Sequence, residues 1–308
     1  MVKSSNFHHL LQASFKSNDT EEWLDKHFTR PVGLVFALLW NRLGVHPNVI
    51  TILSIFLGIG AGWMFHYTDI PHNVWGIVLL MFANFCDSTD GQMARLTGKK
   101  TLIGRMLDGF SGDIWFFAIY VAIAWRLTPE NIPFTTVKWG LWSWVLCIVA
   151  GVFFHSPQSS LADYYRQIHL FFLKGKDGSE LDNYEQQRRI FEQHKQAGNL
   201  IGQLFYYNYA NYCRSQERRT PCFQEFFKKG VQELQEFRSS DIYCEFLEKS
   251  RKLMPLTNIL TFNIRAIVVY LSCLINQPWI YPVFEITVMQ ALYVYMHRKH
   301  EKLCKKWI

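Results

Sequence analysis

Six apolar segments of nearly membrane-spanning length constrain this chain more strongly than any other feature. They cover about residues 48–67, 73–94, 104–125, 139–154, 258–275 and 279–296. A membrane-spanning helix needs about 20 mostly apolar residues. Charged residues make up 19% of the chain, below the usual quarter for a soluble protein, which excludes a disordered chain. The segments predict an all-α integral membrane protein with six transmembrane helices.

The basic residues alternate from one connection to the next. Lys and Arg are absent from residues 68–72, 127–137 and 276–278. Residues 1–45, 95–105, 158–254 and 297–308 together hold 29 of the 32 basic residues. Because basic loops stay in the cytoplasm, this alternation predicts that both termini are cytoplasmic. A soluble helical protein would have no reason for such alternation, and the net charge of +7 fits loops that face anionic lipid.

Four regions follow from this topology. They are a cytoplasmic N-terminus at 1–47 with an interfacial helix, spans one to four at 48–157, a helical cytoplasmic insertion at 158–254, and spans five and six with a basic tail at 255–308. The insertion carries 15 basic and 13 acidic residues. Helices are predicted at Tyr184–Gln196 and Phe223–Arg238, with Pro221 at a helix start. The insertion either supports the fold only or contributes to the active site.

Carboxylates concentrate where the second span ends and the third begins. Asp87, Asp90 and Ala94 stand at positions i, i+3 and i+7, so they share a helix face. Gly104 and Asp108 are four residues apart on the next helix. Three carboxylates at membrane depth are costly and repel one another unless a cation binds them. Because the ligands are hard oxygens, Mg²⁺ or Mn²⁺ is expected rather than zinc.

The spacing of this cluster resembles that of a known enzyme family. The CDP-alcohol phosphotransferase (CDP-alcohol phosphatidyltransferase) family has the pattern D-x2-D-G-x2-A-R-x8-G-x3-D-x3-D. Seven of its eight positions match: Asp87, Asp90, Gly91, Ala94, Arg95, Gly104 and Asp108. The run HPNVIT at His46–Thr51 resembles the segment that opens the first span of the family. The resemblance covers mainly residues 30–157 and the last two spans, since the long insertion is not a feature of compact members.

The resemblance implies a reaction and a role for each matched residue. Members cleave the pyrophosphate of a CDP-linked alcohol, transfer the phospho-alcohol to a hydroxyl group and release CMP. Asp87, Asp90 and Asp108 would hold two Mg²⁺ or Mn²⁺ ions on the pyrophosphate. Arg95 would neutralise the CMP side. Gly91, Ala94 and Gly104 would form a surface of small residues that packs closely against the nucleotide. The family also implies an active site at the cytoplasmic face and a homodimer.

The eighth position departs from the pattern. Four residues after Asp108 stands Gly112, and the carboxylate is Asp113. In the family this last Asp is a metal ligand or the general base, so Asp113 is the candidate for both roles here. In a regular helix it would lie about 140° round from Asp108. A one-residue π-bulge would bring it back to the metal face. The other possibilities are that another group takes the proton, or that the chain is an inactive relative.

The acceptor is the least constrained part of the prediction. The favoured reaction moves a phosphatidyl group from CDP-diacylglycerol to a polar acceptor of the inositol or inositol-phosphate type. The alternative moves phosphoethanolamine or phosphocholine from a small CDP-alcohol to diacylglycerol or ceramide. Polar residues expected to line an acceptor pocket lie at and after the end of span four, in span five and in span six: His155, Ser156, Gln158, Ser159, Ser160, Asp163, Arg166, Asn258, Asn263, Arg265 and Glu285. Arg265 either binds an anionic acceptor or pairs with Glu285.

A cation transporter is the competing function without catalysis. It would distribute acidic residues along several spans and use discontinuous helices. Here the acids lie at one end of two spans, beside Arg95, which would repel a cation. The sequence therefore favours an enzyme over a transporter.

Overall fold

The computed structural model describes residues 4–15, 17–98, 102–232 and 241–306. Within these ranges the ordered elements are helices, and β-pairing is limited to one isolated bridge between Asn131 and Lys138. The predicted all-α class is confirmed. The chain divides into two compact units. The first comprises Met1–Pro157 and Thr261–Gln290, and the second comprises Gln158–Leu260 and Ala291–Ile308.

The first unit is built from long helices joined by short connections. Its helices are α1 (Ser4–Ser14), α2 (Arg30–Arg42), α3 (Pro47–Phe65), α4 (Ile70–Thr97), α5 (Leu102–Leu127) and α6 (Leu141–Ile148). A π-helical segment, Val149–His155, continues α6 into α7 (Ser156–Lys174). The central core lies among α3, α4 and α5, and Trp115 and Ile119 of α5 are part of it.

Glycines of α3 let α3 and α5 approach closely. A Cβ atom added at Gly58 would lie 1.9 Å from Cδ1 of Trp115. At Gly62 it would lie 2.8 Å from the backbone carbonyl carbon of Ala118. Such distances are possible only without a side chain, because real Cβ atoms do not approach so near. The close packing of these two helices holds the start of α5 next to α4.

The ends of α4 explain where this long helix starts and stops. Asp69 caps its start, accepting a hydrogen bond from the backbone N–H of His72 at 3.2 Å. Gly98 ends it in a left-handed conformation with φ of 68°. The carboxylates Asp87 and Asp90 therefore stand in the C-terminal half of α4.

Among the residues that the structure describes, four helical stretches are long and apolar enough to cross a membrane. They are Pro47–Phe65, Leu107–Leu127, Leu141–Lys174 and Asp241–Leu274. Large apolar side chains such as Trp63, Phe117 and Trp142 are exposed on these helices, as expected of surfaces that face lipid. The predicted multi-pass membrane protein is confirmed at this level. Of the six predicted spans, the second and sixth do not have counterparts among these four.

Arg126, near the C-terminal end of α5, connects several elements of the first unit by hydrogen bonds. One Nη atom donates to the carbonyl oxygen of Phe65 at 3.0 Å and to Oδ1 of Asn73 at 3.1 Å. The other donates to Oδ1 of Asn276. The buried guanidinium thus joins the ends of α3, α4 and α5 to a later loop, and these bonds offset the cost of burying its charge.

The region for which the sequence predicts an interfacial helix, residues 1–47, contains helical elements in its described part. A π-helical turn at Asp25–Thr29 leads into α2, whose first turn contains Pro31. Arg30 forms a bidentate ion pair with Glu21, at 3.0 and 3.1 Å. The additional helix α1 was not predicted. The location of α2 at the membrane interface stays a prediction.

The second unit is also helical. It contains most of α7, then α8 (Tyr184–Gln196), α9 (Leu200–Arg219), α10 (Pro221–Gln232), α11 (Asp241–Ile259) and the last helix of the chain. The predicted helix Tyr184–Gln196 is confirmed at both ends. Helix α10 begins at Pro221 as predicted, and residues 233–238 of the predicted Phe223–Arg238 helix lie outside the described residues.

The remaining elements of the chain follow α11. They are α12 (Phe262–Leu274), α13 (Ile280–Phe284), a π-helical segment at Glu285–Met289, and α14 (Gln290–Lys305).

Candidate active site

Three carboxylates meet between α4 and α5. Asp87 and Asp90 come from α4, and Asp108 comes from the second turn of α5. One oxygen atom from each lies within 4.8 Å of the others. Asp90 is buried, Asp87 is half-buried and Asp108 is exposed. The spacing argument predicts this convergence, and the structure brings these three side chains together.

Neighbouring hydroxyl groups hold the carboxylates in place. Ser111 donates to Oδ1 of Asp87 at 2.8 Å and to the backbone carbonyl of Asp108 at 2.9 Å, so it bridges α4 and α5. The Thr51 hydroxyl of α3 lies near the Asp90 carboxylate and donates to the backbone carbonyl of Pro47 at 3.3 Å. Neither residue was singled out from the sequence. The position of Ser111, three residues after Asp108, was the only available signal.

The donor set fits a divalent cation. Oδ2 of Asp90 is buried and has no hydrogen-bond partner among the described residues, which is costly unless a ligand occupies the site. Three converging carboxylates without a cation would also repel one another. Hard carboxylate oxygens are the ligands that Mg²⁺ and Mn²⁺ prefer. The residues present therefore fit the predicted metal site, whereas the identity and number of ions stay predictions.

Arg95 folds back along α4 towards the carboxylates. Its Nη1 lies 3.3 Å from the position that a Cβ atom would take at Gly91. The Arg95 guanidinium thus lies next to the space that is left by the missing side chain of Gly91. Nε of Arg95 donates to the backbone carbonyl of Ser14 at 2.8 Å, which anchors the side chain to the end of α1. Its Nη2 is buried with no hydrogen-bond partner in the described part of the chain.

Gln92 attaches the same end of α4 to the N-terminal region. Its Nε2 donates to the Ser14 hydroxyl at 3.2 Å and to the Arg30 carbonyl at 3.0 Å. These bonds join residues that are 78 and 62 positions apart. Since Arg95 depends on Ser14 for its position, the N-terminal region is part of the site's framework.

The remaining matched residues of the motif lie around this cluster. Ala94 is half-buried on α4, and Gly104 is half-buried in the first turn of α5. Both stand on the two helices that supply the carboxylates. Their predicted role as walls against a nucleotide stays a prediction.

The π-bulge expected between Asp108 and Asp113 is wrong. Residues Leu102–Leu127 form a continuous α-helix, so five residues separate the two carboxylates by about 140°. Asp113 is exposed and does not belong to the group formed by Asp87, Asp90 and Asp108. Its carboxylate lies within electrostatic range of the Arg265 guanidinium. This geometry does not support Asp113 as a metal ligand.

Arg265 pairs with Glu285, one of the two alternatives that the sequence leaves open. Nε of Arg265 lies 3.3 Å from Oε1 of Glu285, and the side chains are 1% and 0% exposed. Nδ1 of His155 lies 3.6 Å from the same oxygen atom. Tyr120 and Tyr281 complete the network, since Tyr120 donates to Tyr281 at 3.1 Å and both hydroxyl groups lie near His155.

Two π-helical segments border this buried network. His155 ends the segment Val149–His155, and Glu285 begins the segment Glu285–Met289. A π-helical turn inserts one residue and changes the direction of the side chains that follow. The two π-helical segments thus contain His155 and Glu285, whose imidazole and carboxylate lie close together.

Asn263 is another residue predicted to line an acceptor pocket, and it contacts other polar groups of the first unit. Nδ2 of Asn263 donates to Glu22 at 2.8 Å and to Asp25 at 3.2 Å, so it binds the N-terminal region. Asn258 belongs to the second unit. Within the first unit, the structure therefore groups His155, Arg265 and Glu285 of the predicted acceptor residues.

Comparisons with known proteins match the part of the chain that carries the carboxylates. Residues 44–172 match the family model for CDP-alcohol phosphatidyltransferases. A phosphatidylinositol phosphate synthase of Corynebacterium glutamicum is 34% identical over 133 residues, which cover 42% of this chain and 58% of that protein.

Two further relatives match shorter segments. An uncharacterized protein of Aquifex aeolicus is 34% identical over 89 residues, or 28% of this chain and 44% of that protein. A Mycobacterium tuberculosis protein provisionally named as a cardiolipin synthase is 24% identical over 113 residues, or 32% and 53%. The chain thus spans between 44% and 58% of the length of these relatives. All seven matching motif residues lie inside the segment 44–172, and this segment is similar to the CDP-alcohol phosphatidyltransferase family.

Proposed function

We propose that this protein transfers a phosphatidyl group from CDP-diacylglycerol to a polar hydroxyl acceptor of the inositol or inositol-phosphate type, with release of CMP. The observation that carries the proposal is the convergence of Asp87, Asp90 and Asp108 within 4.8 Å, inside the segment that the family model matches. Similarity to the Corynebacterium phosphatidylinositol phosphate synthase supports this choice of acceptor class.

In the proposed reaction, an acceptor hydroxyl oxygen attacks the phosphorus atom that carries the alcohol. The bond from that phosphorus to the bridging oxygen breaks, CMP leaves with this oxygen, and the hydroxyl proton is released to water. Bound Mg²⁺ or Mn²⁺ would neutralise charge on the pyrophosphate. Asp87, Asp90 and Asp108 would hold the cation, with Ser111 fixing the orientation of Asp87. Arg95, anchored on Ser14, would place its guanidinium against the CMP phosphate.

The topology and assembly form part of the proposal. Six spans, cytoplasmic termini and a cytoplasmic insertion at 158–254 follow from the distribution of basic residues. In this arrangement the carboxylate group opens towards the cytoplasm, where polar acceptors are available. A homodimer is proposed from the family resemblance alone.

A CMP-release assay on the purified full chain tests the function. CDP-diacylglycerol should support CMP release with inositol phosphate or inositol, and release should be weaker with glycerol phosphate or serine. CDP-choline or CDP-ethanolamine with diacylglycerol should give none. Release only from the small CDP-alcohols would replace the proposal with the alternative chemistry. Absence of release from every pair, together with cation flux in proteoliposomes, would identify a transporter.

Replacement of Asp113 tests the role of the displaced carboxylate. Because Asp113 lies outside the carboxylate group, Asp113→Asn should lower CMP release far less than Asp108→Asn does. Removal of a general base typically costs about 10²- to 10⁴-fold. A loss of that size in Asp113→Asn would restore its assignment as the base. A small loss would mean that another group takes the proton. Both variants should be compared at matched folding, measured by thermal unfolding.

A further inference from the structure

Helix α9 in the second unit carries one exposed face whose chemistry changes along its length. The residues on this face are three, four or seven positions apart, within a sector of about 60°. They are Leu200, Leu204, Tyr207, Asn211 and Arg218. Leu200 and Leu204 are 77% and 66% exposed. The first half of the face is therefore apolar, and the second half is polar and cationic.

The cationic half lines a pocket of about 420 Å³. Its lining residues are Asn211, Arg214, Ser215, Arg218 and Arg219. This volume falls within the range of small-molecule sites. Three guanidinium groups, a hydroxyl and an amide supply many donors, and the forked geometry of Arg suits phosphate oxygens. The chemistry of the pocket points to an anion that carries a phosphate group.

Neighbouring contacts hold the arginines at the pocket. Nη2 of Arg219 donates to the Ser215 hydroxyl at 2.9 Å. The Arg214 guanidinium lies 5.2 Å from the centre of the Tyr184 ring. Glu217 is the only acid on α9, and its Oε1 accepts from the backbone N–H of Tyr184 at 2.8 Å. The one negative charge of this helix is thus directed to the start of α8.

We propose that this face of α9 binds the phosphate headgroup of an anionic membrane lipid. Two observations favour a lipid over a free phosphate compound. The exposed Leu200 and Leu204 lie on the same face as the arginines, and a free phosphate would have no use for them. The chain also has helices that can cross a bilayer, so anionic headgroups lie in its environment.

Isothermal titration of the full chain in a neutral detergent tests this site. The probes are dioctanoyl phosphatidic acid, dioctanoyl phosphatidylcholine and inorganic phosphate, all with EDTA present. EDTA removes divalent cations from the carboxylate group, so the result does not depend on the proposed enzyme activity. Phosphatidic acid should bind more tightly than the other two probes.

Substitutions of arginine residues test whether phosphatidic acid binds at the pocket on α9. The double change Arg214→Gln and Arg218→Gln should weaken phosphatidic acid binding roughly 25-fold, since each Arg near an anionic surface contributes a factor of about five. The matched control is Arg188→Gln with Arg189→Gln on α8, two exposed arginines that pair with Glu192 and Glu185. This control should leave the affinity unchanged.

The apolar half of the face distinguishes a lipid from a free phosphate. Leu204→Gln should weaken binding of phosphatidic acid and not that of inorganic phosphate. If inorganic phosphate binds as tightly as the lipid and Leu204→Gln has no effect, the lipid is excluded as the source of the phosphate. Equal affinity in the α9 double variant and in the wild type would exclude the pocket altogether.

Discussion

Asp108→Asn should abolish Mg²⁺-dependent CMP release while the protein stays folded. Asp108 is exposed, so its replacement removes a ligand oxygen without leaving a gap in the core. Loss of residues that only support metal ligands typically costs about 10- to 100-fold, so loss of a direct ligand should cost at least about 100-fold. Asp87→Asn should behave in the same way. CMP release from purified protein at saturating Mg²⁺, and again in EDTA, measures the effect.

A second measurement separates metal binding from catalysis. A cation that binds only the folded state raises the thermal unfolding temperature. Mg²⁺ should stabilise the wild type and should not stabilise Asp108→Asn. Glu248→Gln, which removes an exposed carboxylate from an i, i+4 pair with Lys252, is the control and should keep both properties. Undiminished CMP release in EDTA would refute a metal role for the three aspartates.

Glu285→Ala should cause the largest loss of stability of any single change considered. Removing Glu285 leaves the Arg265 guanidinium buried without its ion-pair partner. Breaking one side of a buried pair typically costs about 3–5 kcal/mol. Thermal or denaturant unfolding in a fixed detergent measures the difference. The exposed pair of Glu248 and Lys252 gives the comparison, since Glu248→Ala should cost less than about 1 kcal/mol.

A double variant tells whether the loss comes from the orphaned charge. Replacing both Arg265 and Glu285 with Met should recover much of the stability, because apolar side chains need no partner in the core. A Glu285→Ala variant as stable as the wild type would mean that Arg265 finds another acid. Asp113, which interacts electrostatically with Arg265, would then be the first candidate for this acid.

The sequence predicted the carboxylate group well because its geometry is local. Asp87 and Asp90 share a helix face by spacing alone, and a short connection returns the chain to Asp108. Once both segments are helical, little freedom remains for these side chains. The same reasoning predicted the helix Tyr184–Gln196 and the start of α10 at Pro221. Helix periodicity and capping preferences contain all the information that these predictions need.

Asp113 shows where local reasoning failed. Family spacing and two nearby glycines suggested a bulge that would restore the motif. In the described residues, π-helical turns occur instead at Asp25–Thr29, Val149–His155 and Glu285–Met289. Nothing in the spacing of Asp108 and Asp113 distinguishes a bulged helix from a regular one.

Contacts between distant segments required the tertiary structure. The sequence indicates that Arg265 needs a partner, because an unpaired charge in a span is costly. It left two candidates, an anionic acceptor and Glu285. Only the packing of α12 against the segment that begins at Glu285 decided between them. The anchoring of Arg95 on Ser14, 81 residues away, gave no sequence signal at all. Helix periodicity places side chains within one element, whereas the partner that each side chain meets depends on how separate elements pack.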